Sequence, residues 1–220
     1  MRPISPYHQP GFYDDALAKG RHRDIVGGRW DETGRIEMQI LREAGLEPRH
    51  HLLDIGAGAL RLGCRAVPYL NPGHYWATDK SAALMRKGHA TELADPSRLA
   101  ADHLIEDEDF AFPGLPKSIT HAISFAVFTH LPMPCLARAL PRIHAAFPAL
   151  EALLFTVFLA PEGTNGAFRQ PDGVVTHADR APYHFGMATI LALCRAARFG
   201  ATENTISLPR GQILFTAHRL

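Results

Sequence analysis

The stretch His50-His51-Leu52-Leu53-Asp54-Ile55-Gly56-Ala57-Gly58-Ala59-Leu60-Arg61 carries the pattern that decides the fold of this chain. An apolar run enters an acidic residue, and two glycines follow in the spacing Gly-x-Gly. Apolar residues then recur at helical spacing at Leu62, Ala66, Val67 and Leu70. The pattern predicts a buried parallel strand, a tight turn and a helix. Glycine permits the turn, and without a Cβ it lets a ligand approach the main chain closely.

Two residues, Arg61 and Asp54, distinguish this turn from the dinucleotide-binding fingerprint Gly-x-Gly-x-x-Gly. That fingerprint requires glycine at position 61, where the chain has Arg61. The carboxylate of Asp54, at the end of the strand, would repel a pyrophosphate and attract a cation instead. S-adenosylmethionine carries a sulfonium and an ammonium and has no phosphate, so it suits such a turn. A nicotinamide-dependent dehydrogenase is the alternative, but Arg61 and Asp54 both argue against it.

A second acidic residue follows the next predicted strand. Pro72-Gly73 predicts a turn, residues 74–78 predict a strand, and Asp79 stands at its end. A carboxylate at the tip of the neighbouring strand can accept hydrogen bonds from both hydroxyls of a ribose. The two acids and the glycine turn therefore predict a site for a nucleoside-containing cation.

The segment Leu53 to Arg61, then Asp79, then Phe125-Ala126-Val127-Phe128-Thr129-His130-Leu131-Pro132 resemble the class I S-adenosylmethionine-dependent methyltransferases. The likeness is closest to small bacterial members with a "D-I-G-x-G-x-L-R" loop and a "V-F-T-H-L" segment, and it covers roughly residues 30 to 220. The commoner loop has a third glycine where this chain has Leu60, a departure that the "L-R" subgroup shares. The resemblance implies a Rossmann-like three-layer α/β/α sandwich with a seven-stranded, mostly parallel sheet whose last strand is antiparallel.

The resemblance also implies where the cofactor binds. The expected contacts of S-adenosylmethionine are Asp54, Gly56, Ala57, Gly58, Arg61, Asp79, Lys80, Asp109, Phe110 and Phe125. In this assignment an acid accepts a hydrogen bond from the exocyclic amine of adenine, and an aromatic ring packs on the base. The choice of acid stays open among Glu106, Asp107 and Asp109. Such a run of acids is also typical of a solvated surface.

The chain divides into an N-terminal arm or cap, residues 1–30, and a methyltransferase-like domain, residues 31–220. The arm is rich in proline, glycine and charge, which predicts irregular structure. Its aromatic residues Tyr13 and Trp30 either pin the arm to the domain or belong to a cover over the cofactor pocket. Strands and helices alternate beyond it and end in a hairpin, which indicates the α/β/α architecture. Residues 161–185 are expected to form an ordered lid over the acceptor.

The methyl acceptor is expected beyond the fourth and fifth strands, because the cofactor occupies the tips of the first three. His130 and His184 are candidate general bases, since imidazole titrates near neutral pH. For each, a histidine that caps a helix or bonds a carbonyl is the structural alternative. Phe128, Tyr183 and His184 are the expected acceptor contacts. The predicted function is methyl transfer to an O or N atom of a small molecule, a carbohydrate or specialised metabolite. A non-catalytic S-adenosylmethionine-binding scaffold is the alternative.

Length and composition argue against several other classes of protein. The chain has 220 residues, 46% of them hydrophobic, which suits one domain with a full core. A net charge of +1 without a basic run argues against a nucleic-acid partner. The three cysteines lie far apart, which predicts thiols and no disulfide or zinc site. No signal peptide or membrane-length apolar run is visible. We therefore expect a cytoplasmic monomer or homodimer that binds no membrane and requires no metal.

Overall fold

The computed structural model describes residues 4–220, which form ten strands and six α-helices. The strands are β1 (Leu52–Ile55), β2 (Tyr75–Asp79), β3 (Leu104–Glu106), β4 (His121–Ser124), β5 (Ala152–Leu159), β6 (Ala167–Arg169), β7 (Val175–His177), β8 (His184–Phe185), β9 (Phe199–Asn204) and β10 (Ile213–Arg219). The helices are α1 (Phe12–Ala18), α2 (Trp30–Glu43), α3 (Gly63–Tyr69), α4 (Ala82–Thr91), α5 (Met133–Ala146) and α6 (Met187–Ala196). None of these helices is long and apolar enough to cross a membrane.

The main sheet has the strand order β3-β2-β1-β4-β5-β10-β9, and the short β8 pairs with β5. The strands from β3 to β5 in that order run parallel to one another. The last strand, β10, runs antiparallel to both of its neighbours, β5 and β9. This confirms the predicted seven-stranded sheet with an antiparallel final strand. The order reverses at β1, so a crevice opens at the carboxyl ends of β1 and β4, where ligands bind in sheets of this kind.

Two hydrophobic cores cover the two faces of the sheet, which completes the three layers. Helices α2, α3 and α4 contribute to one core, with Leu41, Val67 and Met85 fully or almost fully buried. Helices α5 and α6 contribute to the other, with Leu140 and Ile190 buried to the same degree. β5 is buried along nearly its whole length, because both cores pack against it.

The N-terminal arm is more regular than the sequence indicated. It contains α1 and two short 3₁₀ turns, Pro6–His8 and Asp24–Val26. Asp14 and Asp15 lie in the first turn of α1, where a carboxylate complements the helix dipole. The expectation of an irregular arm was therefore wrong for α1, because these acids and a buried Ala16 support a helix there.

The segment between β5 and α6 is an ordered hairpin. β6 and β7 pair antiparallel, and β8 pairs in parallel with the end of β5. The side-chain amide of Gln170 is buried and donates to the carbonyl of Leu159 at 2.9 Å and to Thr176 Oγ1 at 3.0 Å. The first bond attaches the hairpin to β5 and the second lies within the hairpin, so the segment is ordered against the sheet.

Candidate functional site

A cavity of about 380 Å³ opens at the carboxyl ends of the central strands. Its walls come from the glycine turn after β1, the tip of β2, the loop after β3 and the segment after β4. Residues of the N-terminal arm, the hairpin and the turn between β9 and β10 close it from outside. The volume lies within the range of small-molecule sites.

The glycine turn adopts a conformation that depends on its two glycines. Gly56 and Gly58 have φ values of 79° and 56°, a region that favours glycine. A Cβ on Gly56 would lie 2.3 Å from Val127 Cγ2, and one on Gly58 would lie 2.6 Å from Val26 Cγ1. The space above Gly58 is therefore bounded by the arm through Val26. From the sequence, a ligand was expected to occupy that space.

Asp79 stands at the tip of β2 with both carboxylate oxygens oriented by the main chain. Oδ2 accepts from the Gly58 amide at 2.9 Å, and Oδ1 accepts from the Ser81 amide at 2.8 Å. Burial raises the pKa of this carboxyl, and the two amide donors act in the opposite direction. Each oxygen keeps a lone pair for the cavity that it lines, so the carboxylate can accept from two neighbouring hydroxyls.

Asp54 lies buried at the end of β1 and also lines the cavity. Its Oδ2 atom accepts a hydrogen bond from the Tyr75 hydroxyl at 2.7 Å. Burial, with a smaller contribution from the nearby carboxylate of Glu37, raises the pKa of Asp54 to about 7. A cation bound in the cavity would favour the ionised form of Asp54.

Arg61 lines the cavity, but its guanidinium already has protein partners. Nη2 lies 2.7 Å from Glu37 Oε1, and Nη1 donates to the carbonyl of Val26 at 2.7 Å. Both members of the ion pair are buried. The pair links α2, the glycine turn and the arm, so Arg61 builds the wall of the site. Sequence reasoning missed Glu37, although a carboxylate near Ile40 on the buried face of α2 was an available signal.

The acid expected at the adenine is placed elsewhere by the loop after β3. Asp109 is exposed, does not line the cavity, and pairs with Arg138 at 3.2 Å. Asp107 does line the cavity. Its carboxylate accepts from the backbone amides of Asp109, Ala111 and Phe112, at distances between 2.8 and 3.1 Å. These bonds curl the loop and turn Asp109 outward, so of the three acids left open by the sequence it is Asp107 that lines the cavity.

The other expected contacts around the base line the cavity. Phe110 is buried with a φ of 58°, and Phe125 is buried at the end of β4. Lys80 lies at the same end and pairs with Glu108, Nζ to Oε2, at 2.8 Å. An apolar surface with paired charges at its edge suits a flat heteroaromatic ring.

His130 follows β4 and lines the far side of the cavity. Its Nδ1 atom is buried and has no hydrogen-bond partner among residues 4–220. The ring packs edge-on against Tyr7, with 4.9 Å between centroids. Burial, with a smaller effect from the charge of Arg210, lowers the pKa of His130 to about 4. The imidazole is therefore neutral at pH 7 and able to accept a proton.

Three residues expected at the acceptor do not line the cavity. His184 is buried in the hairpin, where its Nδ1 atom lies 2.9 Å from Thr176 Oγ1. Phe128 is a core residue that stacks on Phe110, with 5.7 Å between the ring centroids. Tyr183 is buried, and its hydroxyl donates to the carbonyl of Ile4 at 3.0 Å. Packing turns these three side chains into the protein, so the structure gives no support to their predicted roles as acceptor contacts or, for His184, as a base.

The arm supplies Tyr7, which the sequence did not identify, and Tyr13, which was named from the sequence as a possible part of a cover. Tyr7 and Tyr13 line the cavity, and their rings stack with 6.4 Å between centroids. Burial raises the pKa of both hydroxyls, so both are neutral at ordinary pH. Trp30 does not line the cavity and packs against the Arg23 guanidinium instead. The arm therefore covers the site through its tyrosines.

No group of three or more His, Cys, Asp or Glu side chains within residues 4–220 is arranged to hold a metal ion. Cys64, Cys135 and Cys194 are free thiols, and burial raises the pKa of each. None of the three lines the cavity.

No protein-family model matches the chain, and a sequence search among curated proteins returns no significant match. Solved structures do match. Magnesium protoporphyrin IX methyltransferase from Synechocystis PCC 6803, with bound S-adenosylhomocysteine, is 14% identical over 94% of this chain and 96% of its own, with a TM-score of 0.62. Burkholderia thailandensis 1,6-didemethyltoxoflavin-N1-methyltransferase is 19% identical over 100% and 92%, with a TM-score of 0.63. A putative O-methyltransferase from Nostoc punctiforme PCC 73102 is 16% identical over 99% and 70%, with a TM-score of 0.64. The chain therefore has the Rossmann-like fold of the S-adenosylmethionine-dependent methyltransferases.

Proposed function

We propose that this protein is an S-adenosylmethionine-dependent methyltransferase that methylates an O or N atom of a small molecule. One observation carries the proposal. A single cavity joins Asp79, oriented by the Gly58 amide, to a neutral histidine on its far side. The first group suits a ribose, and the second suits proton removal from an acceptor. Structural neighbours with this fold were crystallised with S-adenosylmethionine or S-adenosylhomocysteine bound.

The residues present fit this cofactor. Asp79 would accept the two ribose hydroxyls, and Asp54 would face the positively charged methionine end. Phe110 and Phe125 would pack on the adenine, beside Asp107. The cofactor supplies a methyl group on a sulfonium, which is already an activated electrophile. Its cationic charge matches a cavity wall that contains two buried carboxyl groups with raised pKa values, Glu37 and Asp54.

The protein's part in the reaction is alignment, exclusion of water and removal of a proton. His130 is the base in this proposal, because it lines the cavity in its neutral form. Val174 and Pro182 of the hairpin and Tyr7 of the arm cover the same region. We propose that the hairpin and the arm together form the lid of the acceptor pocket, as the sequence predicted for residues 161–185.

Calorimetry with S-adenosylmethionine, S-adenosylhomocysteine and NAD⁺ tests cofactor choice. Binding of the first two and not of NAD⁺ is expected, and tight NAD⁺ binding without a response to S-adenosylhomocysteine would contradict the proposal. Transfer of a radiolabelled methyl group to a panel of small hydroxy and amino compounds then tests turnover. His130→Gln should abolish most transfer and leave S-adenosylhomocysteine affinity unchanged. Binding without transfer to any acceptor would support the scaffold alternative.

A further inference from the structure

All but one of the arginine and lysine side chains that line the cavity lie close to a carboxylate. Three of these four cations lie within ion-pair distance of a carboxylate. They are Arg29 with Glu32, Arg61 with Glu37, and Lys80 with Glu108. Arg210 has no carboxylate partner among residues 4–220, and its recorded hydrogen bond is from Nη2 to the carbonyl of Gly27, at 3.1 Å. Among residues 4–220, Arg210 is therefore the one arginine or lysine lining the cavity that has no carboxylate within ion-pair distance.

The backbone holds Arg210 at this position in an uncommon conformation. The residue lies in the turn Pro209–Gly211 that connects β9 to β10, with φ of 65° and ψ of 16°. A residue other than glycine rarely adopts a positive φ. The bond to Gly27 of the arm ties the side chain to the cover of the site.

Arg210 lines the cavity next to the arm, to which it is joined by its bond to Gly27. The cofactor residues come from the tips of β1 and β2 and the loop after β3. Arg210 is close to Tyr7 and His130, and its charge lowers the pKa of both. The cavity is also lined by the apolar residues Leu131, Phe158, Val174, Pro182 and Pro209, together with the polar residues Thr129 and Gln212.

We propose that the methyl acceptor is a monoanionic carboxylic acid with a flat apolar body, and that Arg210 binds its carboxylate. This inference rests on the proposed function. One guanidinium without a second free cation matches a single negative charge. A planar guanidinium can donate two parallel hydrogen bonds to a carboxylate, which fixes the orientation of the acid. The apolar wall and the Tyr7 ring would enclose the body of the molecule.

A bound carboxylate would also change the proton affinity of His130. The charge of Arg210 is one of the two causes that lower the pKa of this imidazole. An anion paired with Arg210 offsets that charge, so the pKa of His130 rises when the acceptor binds. For a hydroxyl acceptor, the oxygen forms its bond to the methyl carbon as the carbon–sulfur bond breaks. The hydroxyl proton passes to His130, and the products are a methyl ether and S-adenosylhomocysteine.

Matched acid and amide pairs test the proposal. The probes are 3-hydroxybenzoate, 4-hydroxybenzoate, 4-hydroxyphenylacetate and indole-3-carboxylate, each beside its primary amide. Calorimetry is done on wild-type protein saturated with S-adenosylhomocysteine. At least one acid should bind about ten-fold or more tightly than its amide, the scale of hydrogen bonds between charged groups. Arg210→Met should remove this preference, Arg210→Lys should retain part of it, and the exposed control Arg195→Met should leave it unchanged.

Three results would overturn the proposal. The first is that no acid in the set binds more tightly than its amide. The second is that folded Arg210→Met protein keeps the preference. The third is that Arg210→Met weakens S-adenosylhomocysteine itself, which would assign the arginine to the carboxylate of the cofactor. A failure of wild-type protein to bind S-adenosylhomocysteine would instead refute the proposed function. In NMR titrations, the pKa of His130 should rise when a preferred acid binds and should not respond to its amide.

Discussion

The Gly58 amide donates a hydrogen bond to Asp79 Oδ2 at 2.9 Å, which joins the tip of β2 to the glycine turn after β1. The other oxygen of the same carboxylate accepts from the Ser81 amide at the start of α4. Asp79 is therefore part of the frame of the turn as well as a candidate ligand for a ribose. A substitution at this residue must be judged by both stability and affinity.

Asp79→Asn should weaken S-adenosylhomocysteine binding by about 1–3 kcal/mol, the scale of hydrogen bonds to a charged group. The amide keeps the shape of the side chain, but one of its two positions becomes a donor. The NH2 group of the asparagine then faces the N–H of either Gly58 or Ser81, and two donors cannot form a hydrogen bond with each other. Calorimetry gives the affinity, and urea denaturation shows whether the variant is folded. Wild-type affinity in a folded variant would mean that another residue holds the ribose.

Because of the conformation of the loop after β3, we expect substitutions of its acids Asp107 and Asp109 to have different effects. Asp107→Asn should reduce S-adenosylhomocysteine affinity about ten-fold or more, because backbone amides of the loop lose a carboxylate partner beside the cavity. Asp109→Asn is the matched control and should leave affinity unchanged, since Asp109 faces Arg138 outside the cavity. The opposite order of effects would restore Asp109 as the adenine acid.

Asp54 predicts a pH dependence of cofactor binding. Its pKa of about 7 lies above the usual value, so at pH 6 the group is mostly neutral and at pH 8 mostly ionised. A cationic ligand favours the ionised form, so affinity for S-adenosylmethionine should rise between pH 6 and pH 8 and then level off. Asp54→Asn, which keeps an oxygen for Tyr75, should bind more weakly and should lose this rise. Calorimetry across the pH range decides, and an identical pH profile for both proteins would contradict the assignment.

The same pKa has an opposite consequence for the stability of the ligand-free protein. A carboxyl group whose pKa is raised on folding stabilises the fold when it is protonated, and this contribution falls as pH rises through the folded-state pKa. Between pH 6 and pH 8 the wild-type free energy of unfolding should therefore decrease relative to that of Asp54→Asn. Urea denaturation at both pH values measures the difference. A difference that does not change with pH would show that Asp54 does not titrate in this range.

Gly88 lies at a tight contact between α4 and the glycine turn, and a methyl group added at this position would disrupt that contact. A Cβ at this position of α4 would lie 2.1 Å from the backbone oxygen of Ala59, beside the glycine turn. Gly88→Ala should destabilise the protein by about 1–3 kcal/mol, the scale of overpacking. It should also weaken S-adenosylhomocysteine binding, because the turn must shift.

Gly166→Ala is the matched control for this change, since a Cβ there meets nothing within 4 Å and the φ is not positive. Chemical denaturation and calorimetry on both variants check the prediction. Equal stability of the two variants would show that α4 can move away from the turn at little cost.

The cofactor half of the site could be predicted from sequence because its signals are local. Leu52 to Gly58 encode strand and turn within seven consecutive residues, and parallel strands place their carboxyl ends at one edge. Asp54, Gly56, Gly58 and Asp79 therefore line one cavity, as their positions at strand ends indicated. The seven-stranded order followed from the resemblance, since periodicity alone does not determine which strands are neighbours.

The acceptor half depended on packing between residues far apart in the chain. His184 and Tyr183 lie within the expected lid, residues 161–185, yet both are buried and neither lines the cavity. Asp109 lies two residues from Asp107, and a loop curl decides which of them faces the site. No local pattern carries such information, because it depends on the direction in which a side chain leaves the backbone.

Only the tertiary structure brought together the residues that now suggest an acceptor. Tyr7 comes from the arm, His130 from the end of the fourth strand, and Arg210 from a turn near the end of the chain. Tyr7 and Arg210 are unremarkable in their own sequence neighbourhoods, whereas His130 lies in the segment 125–132 that carries the family resemblance. The sequence by itself determined the strand-turn-helix unit and the acids at the strand tips. The backbone conformation and burial of these features are set by residues that lie within a few positions of one another. The charge and shape of the acceptor pocket were decided by long-range packing, which sets distances between groups that the chain separates by tens of residues.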